Sequence, residues 1–413
     1  MVALEAIVYD PGSLEAWLLK AGLRGTAVDD LLTSFCRRLE ADGFALTRMH
    51  VSLAALHPLI RARSFTWQRD RAEIGNEEMP HRTPQDETQA WRESPFRYML
   101  SNDVRCLYRR LAGPQAQLDF PVLHEFAAQG ATDWLAHSFG FGWSLEHLPM
   151  TPGMAEIGMI CSMTTDRPNG FYEAEKQRLA ALLPLFALAI KAAVQMATTR
   201  DVMAAYLGKD AARHVLSGDI RRGMAHRIEA AILYADLRGF TALADRLAIE
   251  PLVETLNAYF DCLGPAIAAG GGQVLKFLGD GLLASFQPEA EAPIDAARFC
   301  QAALRAAKAG LAAVERLNAE RAAQGLDCLQ LDIALHLGDL MYGNVGTADR
   351  LDFTLIGPAV NEAARIENLC GVLERSLLAS DSFALAAGPQ SGLASLGRHA
   401  LRGVAEPREI FGL

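Results

Sequence analysis

The pattern of apolar and polar positions separates the chain near residue 229. From there to residue 413, short apolar runs typical of strands alternate with longer amphipathic stretches typical of helices. The runs 273–278 and 282–286 predict two strands, and the Gly-Asp-Gly turn between them favours a hairpin. The run 230–236 predicts an earlier strand. A helical stretch follows it over 241–269, with a break near Pro251.

The remaining elements of this half complete a recognisable order. A helix is predicted from Pro293 to about Ala323, and 329–338 with 340–345 predict another pair of strands. The run 353–357 predicts a short strand, and Pro358 opens a helix to about Leu369, since proline suits the first helical position. The order β-α-β-β-α-β with additions predicts an α+β (α/β sandwich) fold of the ferredoxin-like type.

The first half, residues 1–195, is one unit by composition and holds all five tryptophans. The run 155–165 predicts a buried strand, 166–170 a turn, and a long helix begins at Phe171. The apolar positions of that helix are too dense for one face, so it must be covered on several sides. The polar stretch Trp67–Arg92 predicts a surface loop.

Residues 196–228 connect the halves and contain a short helix in 206–223, broken at Gly218. Two interpretations remain open at this point. The segment is either a solvated linker or a helical transducer that carries a state from the first domain to the second.

Composition narrows the class of protein. The 413 residues carry 39 Lys and Arg against 49 Asp and Glu, a net charge of −10, and 51% are hydrophobic. This excludes disordered and collagen-like chains, predicts two or three domains and argues against non-specific nucleic-acid binding. The seven cysteines contain no CxxC pair, so we expect reduced thiols and no structural zinc site.

The chain is expected to be cytoplasmic. Its first residues lack the basic start and apolar run of a signal peptide. The most apolar window, 179–196, is interrupted by Lys191 and is shorter than the ~20 apolar residues of a membrane span, so we expect a buried helix instead.

Two aspartates at strand ends are the first sign of chemistry. Asp236 ends the first strand of the second half and Asp280 lies at the hairpin tip. The predicted topology places these strands side by side, so the carboxylates can meet and hold Mg²⁺, which takes oxygen ligands and shares them with phosphates. A single aspartate at a strand end is more often a turn or capping residue; the pair reverses that expectation.

Other polar residues fit a nucleotide. Gly239 permits a close approach to a ligand, and Thr241 can cap the next helix, whose amides would face a triphosphate. Lys276 interrupts an apolar strand, so it is either an edge lysine or a donor to a purine nitrogen. Asn361 and Arg365 lie four apart on one helix face and suit a ribose oxygen and a phosphate, although a solvated polar pair has the same spacing.

Together these residues carry a resemblance. The segments YADLRGFT, GGGQVLKFLGDGLLASF, LHLGDLMYGNVG and FTLIGPAVNEAARIE, in this order and spacing, resemble the class III adenylyl cyclase catalytic domain over about 180 residues (229–413). The resemblance implies a homodimer with two sites at its interface. It assigns the residues as follows: Asp236, Leu237 and Asp280 to two Mg²⁺ or Mn²⁺ ions, Lys276 and Thr354 of the other protomer to adenine, Gly239, Phe240, Thr241 and Arg402 to the phosphates, and Asn361 and Arg365 to the ribose and the α-phosphate.

Thr354 departs from the commonest pattern, in which this position is aspartate, and resembles a bacterial-type subgroup, some of whose members respond to bicarbonate. Guanylyl cyclases typically place Glu and Cys at the two base-reading positions. Lysine has only donors, which suit N1 of adenine and not the N1–H of guanine. The expected substrate is therefore ATP, with 3′,5′-cyclic AMP and pyrophosphate as products. A guanylyl cyclase, or a non-catalytic module that binds a nucleotide or a partner, is the alternative.

The end of the first half, from 155 through the turn 166–170 into the long helix, resembles the C-terminal part of a GAF domain. This implies a module (1–195) that senses an unknown small-molecule effector or dimerises, and regulates the cyclase through the linker. The aromatic segment 134–148 is either core packing or a haem or chromophore pocket.

Overall fold

The structure is a computed structural model, and it describes residues 10, 12–81, 87–144, 156–287, 295–404 and 406–413. It divides into two compact units, Met1–Val202 and Met203–Leu413.

The first unit is built on a six-stranded sheet in the order β3-β2-β1-β6-β5-β4, with every adjacent pair antiparallel. Its strands are β1 Leu46–Ala54, β2 Ile60–Gln68, β3 Gly75–Pro80, β4 Cys106–Arg110, β5 Asp133–Ser144 and β6 Glu156–Thr165. Its helices are α1 Leu14–Arg24, α2 Val28–Ala41, α3 Gln89–Arg92, α4 Pro95–Ser101, α5 Pro121–Ala128 and α6 Glu173–Leu207. The predicted buried strand and the long helix are both present, with β6 and α6 within a few residues of the expected starts.

One face of this sheet forms the main core with α1, α2 and α6. Alternate residues of β1, Met49, Val51 and Leu53, point into it because side chains alternate across a strand. Helix α6 is buried along one side, and its Phe186 stacks on Phe35 with 4.5 Å between ring centroids. The opposite face carries a second apolar cluster under α4 and α5, which includes the buried Trp134.

Helix α6 is the one helix in the described residues that is long and apolar enough, by length and composition, to cross a membrane, and 44% of its most apolar window is buried. Lys191, which interrupts that window, donates a hydrogen bond to the Phe141 carbonyl at 2.8 Å.

The turn 166–170 is fixed by a buried carboxylate. Asp133 is fully buried and accepts hydrogen bonds from the Tyr108 hydroxyl at 2.9 Å, the Arg110 guanidinium at 2.7 Å and the Phe171 amide at 2.8 Å. Gly170 lies so close that a Cβ at this position would approach Asp133 Oδ2 to 1.9 Å. The turn and the start of α6 are thus held to β5.

The prediction of a surface loop over Trp67–Arg92 is wrong in part. Gly75–Pro80 forms the edge strand β3, paired with β2, and Gln89–Arg92 forms α3. The sequence of β3 is polar because most of this edge strand is exposed, which removes the apolar alternation that marks a strand. In the segment 134–148, Trp134 is core packing, while residues 145–148 lie outside the described residues.

The second unit is an eight-stranded sheet in the order β13-β14-β12-β10-β7-β9-β8, with β11 paired to β10. Its strands are β7 Ala225–Leu237, β8 Gln273–Leu278, β9 Gly281–Phe286, β10 Leu331–Gly346, β11 Leu351–Ile356, β12 Leu377–Ser380, β13 Ala394–His399 and β14 Arg408–Gly412. Its helices are α7 Lys209–Ser217, α8 Phe240–Ala244, α9 Ile249–Ala269, α10 Ala296–Ala323, α11 Pro358–Glu367, α12 Cys370–Leu373 and α13 Asp381–Ala387. Helices α9, α10 and α13 cover one face, and α7 and α11 pack on the other.

The predicted hairpin is confirmed, since Leu278 pairs with Gly281 across a two-residue turn at Gly279 and Asp280. The strands predicted at 329–338 and 340–345 are instead one continuous strand, β10, because β7 stays paired with it over thirteen positions without a turn. The helical break falls at 245–248, before Pro251, which lies in the first turn of α9. Pro293 lies outside the described residues.

Candidate active site

Strand pairing brings the two predicted metal-binding aspartates together. Strand β7 lies between β10 and β9, so Asp236 at the end of β7 is adjacent to the hairpin tip that carries Asp280. The Asp280 carboxyl is close enough to Asp236 to raise the pKa of Asp236, and Leu237 N donates to Asp236 Oδ1 at 3.0 Å. The prediction that these aspartates meet is therefore confirmed by the fold.

A third carboxylate, which sequence reasoning missed, joins this pair. Glu367, the last residue of α11, is close enough to Asp280 to affect it electrostatically. Burial and the neighbouring Asp280 raise the pKa of Asp236 to about 7, and burial together with Asp332 and Asp280 raises the pKa of Glu367 to about 7. Three clustered carboxyls repel one another when ionised, and a divalent cation relieves that repulsion, so the donor set suits Mg²⁺ or Mn²⁺.

Two tyrosines border the carboxylates. The hydroxyl of Tyr259 is buried and has no hydrogen-bond partner in the described structure. Burial raises the pKa of Tyr259 far above its usual range, and nearby Asp236 and Asp280 add to the shift. Burial and the same carboxylates also raise the pKa of Tyr234. Both hydroxyls are therefore protonated donors beside the acidic cluster.

The fourth acidic residue, Asp332, is neutralised within the protein. It lies directly across from Asp236 in the β7–β10 register and is buried. Arg238 donates to both of its oxygens, at 2.8 and 2.5 Å, and to the Arg375 carbonyl at 3.2 Å. Asp332 occupies one of the polar positions in the alternating pattern of 329–338, so the pattern alone does not mark it as unusual.

The turn after β7 differs in one respect from the prediction. Gly239 has φ +77 and is the N-cap of α8, so the backbone needs a residue that tolerates the left-handed region. Helix α8 begins at Phe240, and Thr241 lies within its first turn, so the prediction that Thr241 caps the helix is wrong. Its exposed side chain lies near the end of β7.

Lys276 lies on the edge strand β8, and its partly exposed ammonium is engaged in an ion pair. Its ammonium pairs with the Asp352 carboxylate in a short ion pair between β8 and β11. Thr354 lies two residues beyond Asp352 on β11, hence on the same face of that strand. The two predicted base-reading residues are thus on neighbouring strands, and Asp352 is an additional residue that sequence reasoning did not single out.

Asn361 and Arg365 project from one side of α11 and remain available. Among the described residues, neither side chain has a hydrogen bond or an ion pair. A Cβ at Gly403 would lie 3.5 Å from Arg365 Nη2, so the turn that carries the exposed Arg402 is beside this guanidinium. Arg402 and Arg365 therefore lie in the same part of the unit.

Thr354 and Asp236 pair with different positions along β10 in one chain. Asp236 is opposite Asp332, whereas Thr354 is opposite Gly343, eleven residues further along the strand. A fully straight strand of that length would span at most about 35 Å. Lys276, in contrast, is only four residues from Asp280.

One other cluster combines possible metal ligands. In the described residues, the side-chain donors of His214, Asp219 and His226 lie within 4.8 Å of one another. His214 Nδ1 is 2.8 Å from Asp219 Oδ2, and this hydrogen bond holds the pKa of Asp219 below its usual range. The cluster contains no cysteine; all seven cysteines are free.

Comparisons with known proteins match this unit. Residues 224–410 match the family model described as the adenylate and guanylate cyclase catalytic domain. An adenylate cyclase of Anabaena cylindrica is 34% identical over 181 residues, covering 40% of this chain and 34% of the relative. Adenylate cyclase 1 of Rhizobium meliloti is 31% identical over 178 residues, covering 43% of this chain and 26% of the relative.

The chain thus spans about a third or less of the length of these curated relatives. Among solved structures, the adenylyl cyclase CyaB from P. aeruginosa is 26% identical with a TM-score of 0.40, covering 46% of this chain and 95% of that one.

Proposed function

We propose that residues 224–410, an adenylate and guanylate cyclase catalytic domain, convert ATP to 3′,5′-cyclic AMP and pyrophosphate. The observation that carries the proposal is the meeting of Asp236 and Asp280 at the end of β7. Asn361 and Arg365 on α11 of the same unit, which have no side-chain partner within the described part of the chain, add to it. ATP is favoured over GTP because Lys276 offers only hydrogen-bond donors to the base.

Asp236, Asp280 and the adjoining Leu237 would hold two Mg²⁺ or Mn²⁺ ions, whose charge would lower the pKa of the ribose 3′-hydroxyl and neutralise the phosphate oxygens. The raised pKa values of Asp236 and Glu367 support this, since the cluster lacks a compensating cation of its own. Arg238 is already committed to Asp332 and does not supply one.

Other residues of the chain would orient the ribose and bind the phosphates of the nucleotide. Asn361 would orient the ribose so that its 3′-oxygen attacks the α-phosphorus in line, and pyrophosphate leaves. Arg365 would donate to the α-phosphate oxygens, where negative charge grows in the transition state. Arg402, on the neighbouring turn, would bind the terminal phosphates, together with the backbone at 239–241.

The site would be completed by a second copy of the chain. The separation of Thr354 from Asp236 along β10 supports this, because the register sets the two residues eleven positions apart within one protomer. A two-fold dimer would pair the carboxylates of one protomer with Lys276 and Thr354 of its partner and form two equivalent sites. Large exposed apolar side chains on β8, β10 and β11 are suited to such an interface; they are Phe277, Leu278, Met341, Val345, Leu351 and Ile356.

The first half, 1–195, would be a GAF-like sensor whose effector is a small molecule, and 196–228 would transmit its state. The arrangement that supports this is the continuous helix α6, which starts in the first unit and ends at Leu207, one residue before the N-cap of α7.

The test is product formation by the purified full chain with Mg²⁺ or Mn²⁺ and either ATP or GTP. We expect cyclic AMP from ATP, little cyclic GMP, and loss of product in Asp280→Ala. His226→Ala is a matched control, since it removes a possible metal ligand outside the acidic cluster and should leave the metal requirement unchanged. Absence of any cyclic product, with the first 195 residues present or deleted, would contradict the proposal.

A further inference from the structure

Two neighbouring cavities lie inside the first unit, over the sheet face opposite its main core. One has a volume of about 810 Å³ and is lined by β1, β2, β5 and β6 with α3 and α4. A second, of about 320 Å³, reaches under α5. His50, Ser94 and Phe96 line both, so the two form neighbouring compartments.

Along β1 this sheet face is polar, although the same face carries the apolar cluster around Trp134 on β5. Arg48, His50 and Ser52 alternate along β1 with the core residues of the other face. The strands on either side place further polar residues opposite them in the register: Ser64, Thr66, Ser162 and Thr164. Polar groups away from bulk water cost free energy unless they have partners, so a polar face under a cavity indicates a ligand.

Arg48 is the residue that defines the chemistry. Its guanidinium stacks over Phe126 at 5.1 Å, but among the described residues no carboxylate lies within ion-pairing distance of it. Burial lowers the pKa of Arg48 to about 10, and no neighbouring acid opposes the shift. A charge that is largely removed from water without a counterion is strongly destabilising, and an anion in the adjoining cavity would offset that cost.

The side chains around Arg48 add hydrogen-bond donors, and two exposed glutamates also line the smaller compartment. His50 accepts from or donates to Thr66 at 2.8 Å through Nδ1, and burial followed by Arg48 lowers its pKa to about 3, so the ring is neutral. Ser94 and Ser162 bring hydroxyls to the smaller compartment. Its other ionisable residues, Glu93 and Glu125, are exposed and would repel a multiply charged anion.

The larger compartment is suited to an apolar body. Phe96, Met99, Met159 and Trp91 line it, and the indole N–H of Trp91 is buried without an acceptor among the residues that the structure describes. Arg61 packs over the Trp91 ring at 5.7 Å. A ligand with a ring or branched apolar body and one hydrogen-bond acceptor would fill this space and satisfy the indole.

We propose that this pair of cavities binds a small organic monocarboxylate, with its carboxylate on Arg48 and its apolar body against Trp91 and Phe96. The guanidinium fork matches a carboxylate in two parallel hydrogen bonds. The identification of this ligand as the effector of the enzyme rests on the proposed function; the binding itself does not.

The binding test uses the full chain with phenylacetate and indole-3-acetate as probes, each paired with its neutral amide, and inorganic phosphate as a second anion. Calorimetry and tryptophan fluorescence report binding. We expect at least one acid to bind about tenfold or more tightly than its amide, since a hydrogen bond to a charged group is worth that much. Arg48→Gln should remove the difference and Arg48→Lys should reduce it, because lysine keeps the charge without the fork.

Arg71→Gln is the control, since Arg71 is an exposed arginine of the same unit. Equal binding of acid and amide, unchanged binding in Arg48→Gln, or no binding of either acid at millimolar concentration would overturn the proposal. Phosphate that displaces the acids through Arg48 with equal affinity would reassign the site to phosphate and overturn the carboxylate.

A separate measurement tests whether ligand binding at Arg48 affects the cyclase activity. The rate of cyclic AMP formation is followed with and without the acid that binds, in the wild type and in Arg48→Gln. A rate change confined to the wild type supports an effector. Binding without a rate change overturns the effector assignment, and binding by a chain that makes no cyclic product counts against the proposed function alone.

Discussion

Buried charged side chains in this protein differ in whether the protein itself satisfies them. Asp133 accepts three hydrogen bonds and holds a turn in place, and Asp332 is paired with Arg238. Asp236 instead has other carboxylates as neighbours. Charges that lack partners are costly, so they mark the places where a ligand is expected.

Gly170→Ala should destabilise the first unit. The new Cβ would meet Asp133 Oδ2 at 1.9 Å, and φ is +72, so the carboxylate must leave its three donors. Breaking a buried charged pair costs about 3 kcal/mol or more. Because all five tryptophans lie in this half, urea unfolding followed by tryptophan fluorescence measures it directly.

The matched control for this change is Gly130→Ala. Gly130 has φ +90 and no atom within 4 Å of the added Cβ, so only the left-handed backbone strain of about 1 kcal/mol remains. Equal losses in both variants would show that the contact with Asp133 is unimportant.

Arg365→Ala should lower kcat by about a hundredfold or more and change KM little, because the guanidinium acts on charge that develops in the transition state. Steady-state kinetics with ATP measures this. Arg298→Ala, at an exposed arginine of the same unit, is the control. A normal kcat in Arg365→Ala would rule out the assigned role.

At the scale of secondary-structure elements, the sequence predicted the features that are set by residues close together in the chain. The Gly-Asp-Gly turn fixed the hairpin, and Pro358 marked the start of α11. The single strand β10 was predicted as two, because its continuity depends on thirteen paired positions of β7 and not on its own sequence. The edge strand β3 was missed because its exposed residues carry no apolar alternation.

The same distinction between local and long-range features applies to the candidate site. Asp236 and Asp280 could be paired from the sequence, since strand order follows from the element pattern. Glu367 and Tyr259 could not, because their proximity to the carboxylates depends on how α11 and α9 pack on the sheet. Lys276 was identified because it interrupts an apolar run, whereas Asp332 fits the alternation of its strand, so its pairing with Arg238 could not be found in the same way.

Gly338→Ala should impair catalysis indirectly, by moving helix α11. The added Cβ would lie 2.8 Å from Ala359 Cβ and 2.9 Å from His336 Nε2, so α11 must shift away from β10 and carry Asn361 and Arg365 with it. A displacement of about 1 Å can cost about a hundredfold in rate. The steady-state kinetics and the thermal unfolding of this variant are measured together.

The control is Gly264→Ala in α9, which has open space around the added Cβ and should stabilise the helix slightly without affecting the rate. Unchanged kcat in a stable Gly338→Ala variant would show that this contact does not set the position of α11.

For the whole molecule, the central question is whether two protomers share each site, since the partners of Asp236 and Thr354 lie eleven residues apart on β10. If two protomers share each site, two inactive variants can repair each other. Asp280→Ala and Lys276→Ala, mixed and allowed to exchange subunits, should recover about a quarter of the wild-type rate, since half of a random mixture is heterodimer and each heterodimer has one intact site. Asp236→Ala mixed with Asp280→Ala is the control, because both changes damage the same half of the site and no heterodimer contains an intact one. Recovery in the first mixture alone supports the shared site; no recovery in either, with exchange verified by differently tagged subunits, would place the complete site within one chain and contradict the dimer.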